Sequence, residues 1–339
     1  MKTFHKLLLI LFCLFFCSSA FSQTDIDKKA LLKQGVALND SGKYDEALAK
    51  YSQIIKADPY YENAYYETAY TLSAQGKEKD AIPFLVKLLA LNPNSAEGFD
   101  MLGNIYDDLG QSDKAIEYYL QGIKVDSGYQ RLHFNLAITY YRIKKYPESE
   151  EAAIHAIKLD PKHASSQRIY AMATYKEKKR GCSLMAWCSF LLLEPQSKRS
   201  SEAMAYVKNI INYGITRKDE KSINISVNPD EGAGNLMMPM AVSTALDGKK
   251  NLSAVDSVQL QLKSLFEIGS TIADDKVKPF ANNYYASYFE NLAKSGNMPA
   301  FARYITLSLY KEENLAWFKD HDKELKDFQK WLSETKRDF

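Results

Sequence analysis

Proline recurs at Pro59, Pro93, Pro161 and Pro195, all in register with a 34-residue period whose missing member is Ser127. A period of that length accommodates one helix-turn-helix unit, so the chain has to build its fold by stacking copies of one small element. Five windows starting at Lys28, Glu62, Ala96, Gln130 and Ala164 superpose. Their eighth positions read Gly35, Ala69, Gly103, Ala137 and Ala171, and their twentieth read Ala47, Ala81, Ala115, Ser149 and Ser183. Gly, Ala and Ser together make up roughly a fifth of ordinary composition, so ten small residues in ten slots would arise by chance at on the order of 10⁻⁷.

Other positions keep the same register. Gly42, Gly76 and Gly110 stand where a left-handed residue ends the first helix of a unit. Bulky side chains fill position four (Leu31, Tyr65, Phe99), position eleven (Leu38, Leu72, Tyr106, Tyr140) and position twenty-four (Tyr51, Leu85, Tyr119, Trp187). The fifth window departs, with Gln167 and Thr174 at positions that are usually large and apolar and Lys178 where a turn glycine is expected, yet it keeps its closing Glu194-Pro195. Over residues 28–197 the pattern resembles the tetratricopeptide repeat. That resemblance implies an all-α right-handed solenoid of five helical hairpins, with the small residues where helix A crosses helix B. It implies a surface and no chemistry.

The first 22 residues read as an export leader of a bacterial kind: Lys2 and Lys6, an apolar stretch from Leu7 to Phe16, then small residues up to Ser22-Gln23. Ten apolar residues fall short of the roughly twenty that a spanning helix needs, so no stable membrane insertion is expected after cleavage. The resulting protein would be periplasmic or secreted. Cleavage removes two of the 44 basic residues and none of the 42 acidic ones, leaving a formal charge of zero. Nothing electrostatic then points to nucleic acid. Cys182 and Cys188, if they share a helix, are separated by roughly 9 Å along its axis and about 120° around it, beyond disulfide reach.

Beyond the repeats, residues 198–214 read as a capping helix, with Ala203, Met204, Val207, Ile210 and Ile211 on one face. Residues 215–339 read as a mainly helical region. A short strand is expected where Ile223, Ile225 and Val227 alternate with polar residues, followed by a turn at Asn228-Pro229-Asp230-Glu231-Gly232. Helices are expected near 235–246, 253–273, 279–295, 299–311 and 313–334, the pair around Gly296 resembling a degenerate repeat hairpin. The stretch from Cys182 to Leu193 is apolar all round, unlike the second helix of the first repeat, and so requires cover on both sides. Residues after 198 folding back onto repeat five would supply that cover.

No catalytic pattern emerges. His133, His155, His163 and His321 show no metal-ligand spacing, Gly232-Ala233-Gly234 lacks the third glycine of a phosphate-binding loop, and the carboxylate pairs Asp107-Asp108, Glu150-Glu151 and Asp274-Asp275 read as solvated. No metal and no cofactor are expected. The resemblance instead implies a concave wall lined by positions two, five, nine and twelve of each helix A. Along it lie Tyr66 and Tyr70, then Asp100, Asn104 and Asp107, then Arg131, Phe134 and Tyr141, and finally Arg168 and Tyr175. Such a wall suits an extended or helical peptide of another protein, with apolar side chains stacked on the rings and charges meeting opposite partners. Two other readings remain open: a small-ligand or glycan carrier that uses the tyrosines, and an enzyme whose site lies in the C-terminal half. The Lys/Asn clamp of cytosolic chaperone-binding repeats is not matched, since Leu32 and Val36 hold positions five and nine of repeat one.

Overall fold

The computed structural model describes residues 27–217, 223–228, 231–273 and 279–339. The leader read at 1–22, Pro229-Asp230 of the proposed turn, and Asp274-Asp275 lie outside the described residues. The chain divides into two compact units, one ending at Gln111 and the other starting at Ser112. The boundary falls within repeat three, between its two helices.

In the first unit, α1 (Lys28–Asp40) and α2 (Tyr44–Ala57) form one hairpin, α3 (Glu62–Ala74) and α4 (Glu78–Leu91) a second, and α5 (Ala96–Asp108) opens a third. The second unit begins with α6 (Ser112–Val125). It continues with the hairpins α7 (Gln130–Arg142)/α8 (Tyr146–Leu159) and α9 (Ala164–Lys176)/α10 (Arg180–Leu193), followed by α11 (Lys198–Ile211). The first helix of each repeat starts at the residue where its 34-residue window starts, and α11 starts where a sixth window would.

The period survives because each repeat closes its turns with the same hydrogen bonds. After each first helix a residue at positive φ, namely Gly42, Gly76, Gly110, Lys144 or Lys178, reverses the chain. The amide of the following residue then donates back to the third-last helical carbonyl, as in Lys43 N to Leu38 O (2.9 Å) and Lys145 N to Tyr140 O (2.9 Å). This is the Schellman closure, which favours glycine because a Cβ crowds the left-handed conformation. Repeats four and five make it with lysine. After the second helices of repeats one to four, Asp58, Asn92, Asp126 or Asp160 accepts from the amide two residues on, at 2.9–3.1 Å. That side-chain turn is independent of the proline, which is why Ser127 can replace it. Position four ties three of these turns to the next helix: Tyr65 Oη donates to Pro59 O (3.0 Å), His133 Nε2 contacts Ser127 O (3.0 Å), and Gln167 Nε2 donates to Pro161 O (3.1 Å).

All ten small residues at positions eight and twenty are buried. A Cβ on Gly35 would lie 2.3 Å from Tyr51 Cε1, so the first hairpin has no room for one. Where alanine gives way to serine at position twenty, the hydroxyl is satisfied across the crossing: Ser149 Oγ donates to Ala137 O and Ser183 Oγ to Ala171 O, both at 2.8 Å. A buried hydroxyl is tolerated on that condition.

The C-terminal part opens with an antiparallel pair, β1 (Ile215–Arg217) and β2 (Ile223–Ile225), in the register Ile215 to Ile225. The second strand is the expected one. The first was not foreseen. Then follow α12 (Ala233–Leu246), α13 (Ala254–Glu267), α14 (Gly269–Ala273), a π-helical turn (Ala281–Ala286) running into α15 (Ser287–Lys294), α16 (Met298–Ile305), α17 (Lys311–Asp320) and α18 (Asp322–Glu334). Three of the expected helices need correction. The one read over 253–273 breaks at Ile268, because the Glu290 carboxylate of α15 takes the Ser270 amide (2.8 Å) and hydroxyl (2.6 Å) and starts a new helix there. The one over 313–334 breaks at His321, whose ring stacks on Trp317 at 4.1 Å. The one over 299–311 stops at Ile305, and the Thr306 hydroxyl is used by Ala302 O (2.7 Å) and Asn314 (2.9 Å). Gly296, at φ +81°, turns the chain between α15 and α16. Phe266, Phe289, Phe301 and Phe328 form the local core, with ring centroids 4.5–6.3 Å apart.

In α10 every residue from Gly181 to Leu191 is buried. It lies against α9 and α11 on one side and against α12, α14, the π-helical turn and α16 on the other. Contact with α14 is at backbone distance, since a Cβ on Gly181 would sit 2.1 Å from Ile272 O. The two residues that break the pattern in repeat five serve this packing or satisfy themselves. Gln167, 1% exposed, donates to Tyr284 Oη (3.0 Å) and accepts from Tyr285 Oη (2.5 Å), and Thr174 Oγ1 donates to Tyr170 O (2.8 Å). Cys182 and Cys188 are both buried and share no disulfide, and the Cys182 thiol donates to Ala273 O at 3.1 Å.

Candidate functional site

The ten wall residues read from the sequence fall into two sets of five, one in each unit. In the first unit Tyr70 is 49% exposed, and Tyr66, Asn104 and Asp107 are half-buried. Asp100 requires a correction. At 2% exposure it is enclosed and offers a partner no surface. Carboxylates nearby are perturbed in the direction burial dictates: Glu67 is raised by desolvation and by Asp40, and Asp108 by desolvation and by Glu78.

In the second unit α7, α9 and α11 lie in series and present their side chains on one wall. Arg131 is exposed, and Phe134, Tyr141, Arg168 and Tyr175 are half-buried. Phe134 meets the edge of His163 at 4.7 Å. Burial first, then Asp160 and Arg199, set the balance that holds that imidazole below its ordinary value. Tyr141 packs at 5.5 Å on Tyr146, the residue that starts the next helix. Burial, followed by Tyr206 and Tyr146, pushes the Tyr141 phenol up.

The far end of this wall is built by residues that sequence reasoning missed. Glu202 of α11 lies 3.7 Å from Arg168, Tyr206 meets Tyr175 at 5.0 Å and stacks on Trp187 at 4.7 Å, and Arg199 donates to Ser165 Oγ at 3.1 Å. The signal was available: Arg199, Glu202 and Tyr206 are positions two, five and nine of a sixth window beginning at Lys198. The Arg168 contact with Glu202 is long for a charge-assisted pair. Its Nε is buried and has no hydrogen-bond partner among the described residues. The wall therefore combines three half-buried rings with an incompletely paired guanidinium.

Among the described residues no three His, Cys, Asp or Glu side chains come together as a metal ion requires, and no helix is long and apolar enough to cross a membrane. Models of the tetratricopeptide repeat match residues 38–105, 96–129 and 130–163, the stretch whose turns and crossings repeat at 34 residues. Residues 38–163 are tetratricopeptide repeats. Relatives of this chain include the TPR repeat-containing protein MJ1428 of Methanocaldococcus jannaschii, 25% identical over 53% of this chain and 30% of that one. The Hsp70-Hsp90 organizing protein 1 of Glycine max is 29% identical over 30% of this chain and 18% of its own length, and Protein O-mannosyl-transferase Tmtc3 of Drosophila melanogaster 26% over 40% and 15%. The alignments thus span less than a third of each of these relatives. Similar solved structures include YrrB, a TPR protein with an unusual peptide-binding site (18% identical, TM-score 0.46, 56% of this chain and 97% of that one). PilF of Pseudomonas aeruginosa gives 18%, a TM-score of 0.48, and coverage of 54% and 88%. Tetratricopeptide repeats mediate protein–protein interaction and are themselves non-catalytic scaffolds.

Proposed function

We propose that this chain is an exported, non-enzymatic scaffold that holds a peptide segment of another exported protein against the wall formed by α7, α9 and α11. The observation that carries the reading is Arg168, whose buried Nε lacks a partner among the described residues on the wall that also carries the half-buried rings of Phe134, Tyr141 and Tyr175. A peptide carboxylate can pair with that guanidinium and with Arg131, while apolar side chains stack on the rings. Aromatic and arginine side chains of this kind dominate binding energy at protein interfaces. Export rests on the leader read at Met1–Ser22. Tyr66 and Tyr70 of the first unit form a further aromatic pair for the same class of ligand.

A partner recovered by co-purification provides the test. Its affinity for Phe134→Ala and Arg168→Glu should fall about 30-fold or more, the loss of an interface anchor being about 2 kcal/mol, at unchanged melting temperature. Full affinity in both variants would remove the site from this wall. Mass determination of the protein from its native host tests export, the expected product beginning at Gln23.

A further inference from the structure

Beyond α18 the segment Thr335–Phe339 has no helix, yet one of its side chains is held from several directions. The Arg337 guanidinium lies 4.0 Å from the ring centroid of Tyr288, 4.9 Å from Tyr284 and 5.4 Å from Phe289. Its Nη1 donates to Ser189 Oγ of α10 at 2.7 Å. That hydroxyl, 2% exposed, gives its own proton to Met185 O (2.9 Å), so its oxygen is left to accept. No carboxylate among the described residues pairs with Arg337. Two residues on, Phe339 stacks on the outer face of Tyr284 at 5.1 Å and 14° while remaining 51% exposed.

The arrangement has the chemistry of a cation cage. Aromatic faces attract a cation through their quadrupole, and a planar guanidinium can stack on them while its fixed N–H groups reach an acceptor. An anion would meet π faces and no donor from Ser189. The cage itself is rigid, being set on α10, on the π-helical turn and on α15, where Tyr284, Tyr285 and Phe289 are at most 2% exposed. Its occupant has fewer anchors. Lys336 and Asp338 are exposed, so Arg337 and Phe339 are the principal anchors of the segment. A segment with so few buried contacts opens locally without unfolding the core. Beside it remains a cavity of about 460 Å³, reaching Pro161, Lys162, Leu192 and Leu193, within the size range of ligand sites.

We propose that this cage is a docking site for an extended segment of a different protein that presents an arginine followed two residues later by an aromatic ring, and that Thr335–Phe339 is its resident occupant, which the partner displaces. The residual cavity argues for a partner segment longer than the resident one. An identical segment from a second copy would leave that space as it is. The cage shares no residue with the wall of α7, α9 and α11, so the two readings stand or fall separately.

The probe is a fluorescein-labelled peptide, Ser-Glu-Thr-Lys-Arg-Asp-Phe, the sequence of residues 333–339. Its anisotropy is measured against the full chain. It should bind Arg337→Ala at least tenfold more tightly than the unsubstituted protein, and Phe339→Ala to an intermediate degree. Replacing the arginine of the peptide by glutamine, or adding Tyr288→Ala to Arg337→Ala, should cost tenfold or more. Binding that is equal in all proteins, or absent from an Arg337→Ala variant that melts normally, overturns the proposal. Loss of cooperative melting in both Arg337→Ala and Phe339→Ala would make the segment a structural strap and overturn it equally. A concentration-dependent dimer of the unsubstituted protein that Arg337→Ala abolishes would assign the cage to exchange between copies instead.

Discussion

Gly181→Ala sets two well-understood effects against each other. In a solvent-exposed helix interior this substitution gains roughly 1 kcal/mol, since glycine loses more backbone entropy on folding. Here the new methyl group would lie 2.1 Å from Ile272 O and 2.4 Å from its carbonyl carbon. An ordinary contact needs roughly 3.4 Å or more, so α10 and α14 would have to separate by about 1 Å along a seam where α10 is buried from Gly181 to Leu191. Overpacking of a closed core costs about 1–3 kcal/mol, and a backbone carbonyl cannot swing aside as a side chain can. The net expectation is a destabilisation of about 1–2 kcal/mol, a fall of roughly 2–8 °C in melting temperature for a unit of this size. Differential scanning calorimetry gives the magnitude, and hydrogen exchange should show lost protection over 269–273. A variant that melts at or above the parent temperature would refute the reasoning, because propensity would then outweigh a contact too loose to matter.

Three further outcomes follow from the repeats and the charges. Lys144→Gly should stabilise by about 0.5–1 kcal/mol, because Lys144 holds φ +64° at a turn that Gly42, Gly76 and Gly110 make elsewhere; thermal denaturation is the measurement. Ala81→Leu, at a fully buried crossing, should cost about 1–3 kcal/mol by urea titration. Burial alone would raise Glu231, but Tyr213, Lys178 and Arg180 outweigh it and hold the carboxyl below its ordinary value; for Asp256, Arg303 and Ser253 likewise overcome burial. A carboxylate depressed in the folded state stabilises above its unfolded value of about 4 and loses that contribution as pH falls through the folded one. Stability of the parent should therefore decline below about pH 4 more steeply than that of Glu231→Gln when followed by circular dichroism.

The repeats were legible because their information is local and redundant. Helix starts, turn residues and crossing residues recur at fixed offsets, so a single defect such as Ser127 or Lys178 does not obscure the register. The C-terminal part lacks that redundancy. The break at Ile268 depends on Glu290, twenty residues beyond Ser270, and the guanidinium cage joins Ser189 to Arg337, 148 residues apart. Neither pairing leaves a periodic trace. β1 was overlooked because Ile-Thr-Arg is too short to show an alternation of its own. For the wall, counting positions two, five, nine and twelve identifies the face but not the depth, and so Asp100 was read as accessible although it is enclosed. The same counting carried one window further would have reached Glu202 and Tyr206.

The α11 helix is a first helix that has no second. In α9 positions three, four, six, seven, eight, ten and eleven are buried; in α11 positions three, six, seven and ten remain so, while Ser201, Ala205 and Lys208 at four, eight and eleven do not. What persists is the side that faces the preceding repeat, and what is gone is the side that would have received a partner helix. The array thus has a terminus that cannot be lengthened from its own end. Repeat five is equally fixed, bound to its neighbours by Gln167, Gly181 and Ser189. A whole repeat can be added or removed without breaking these contacts only ahead of repeat five, where the wall changes length while the C-terminal part keeps its seat.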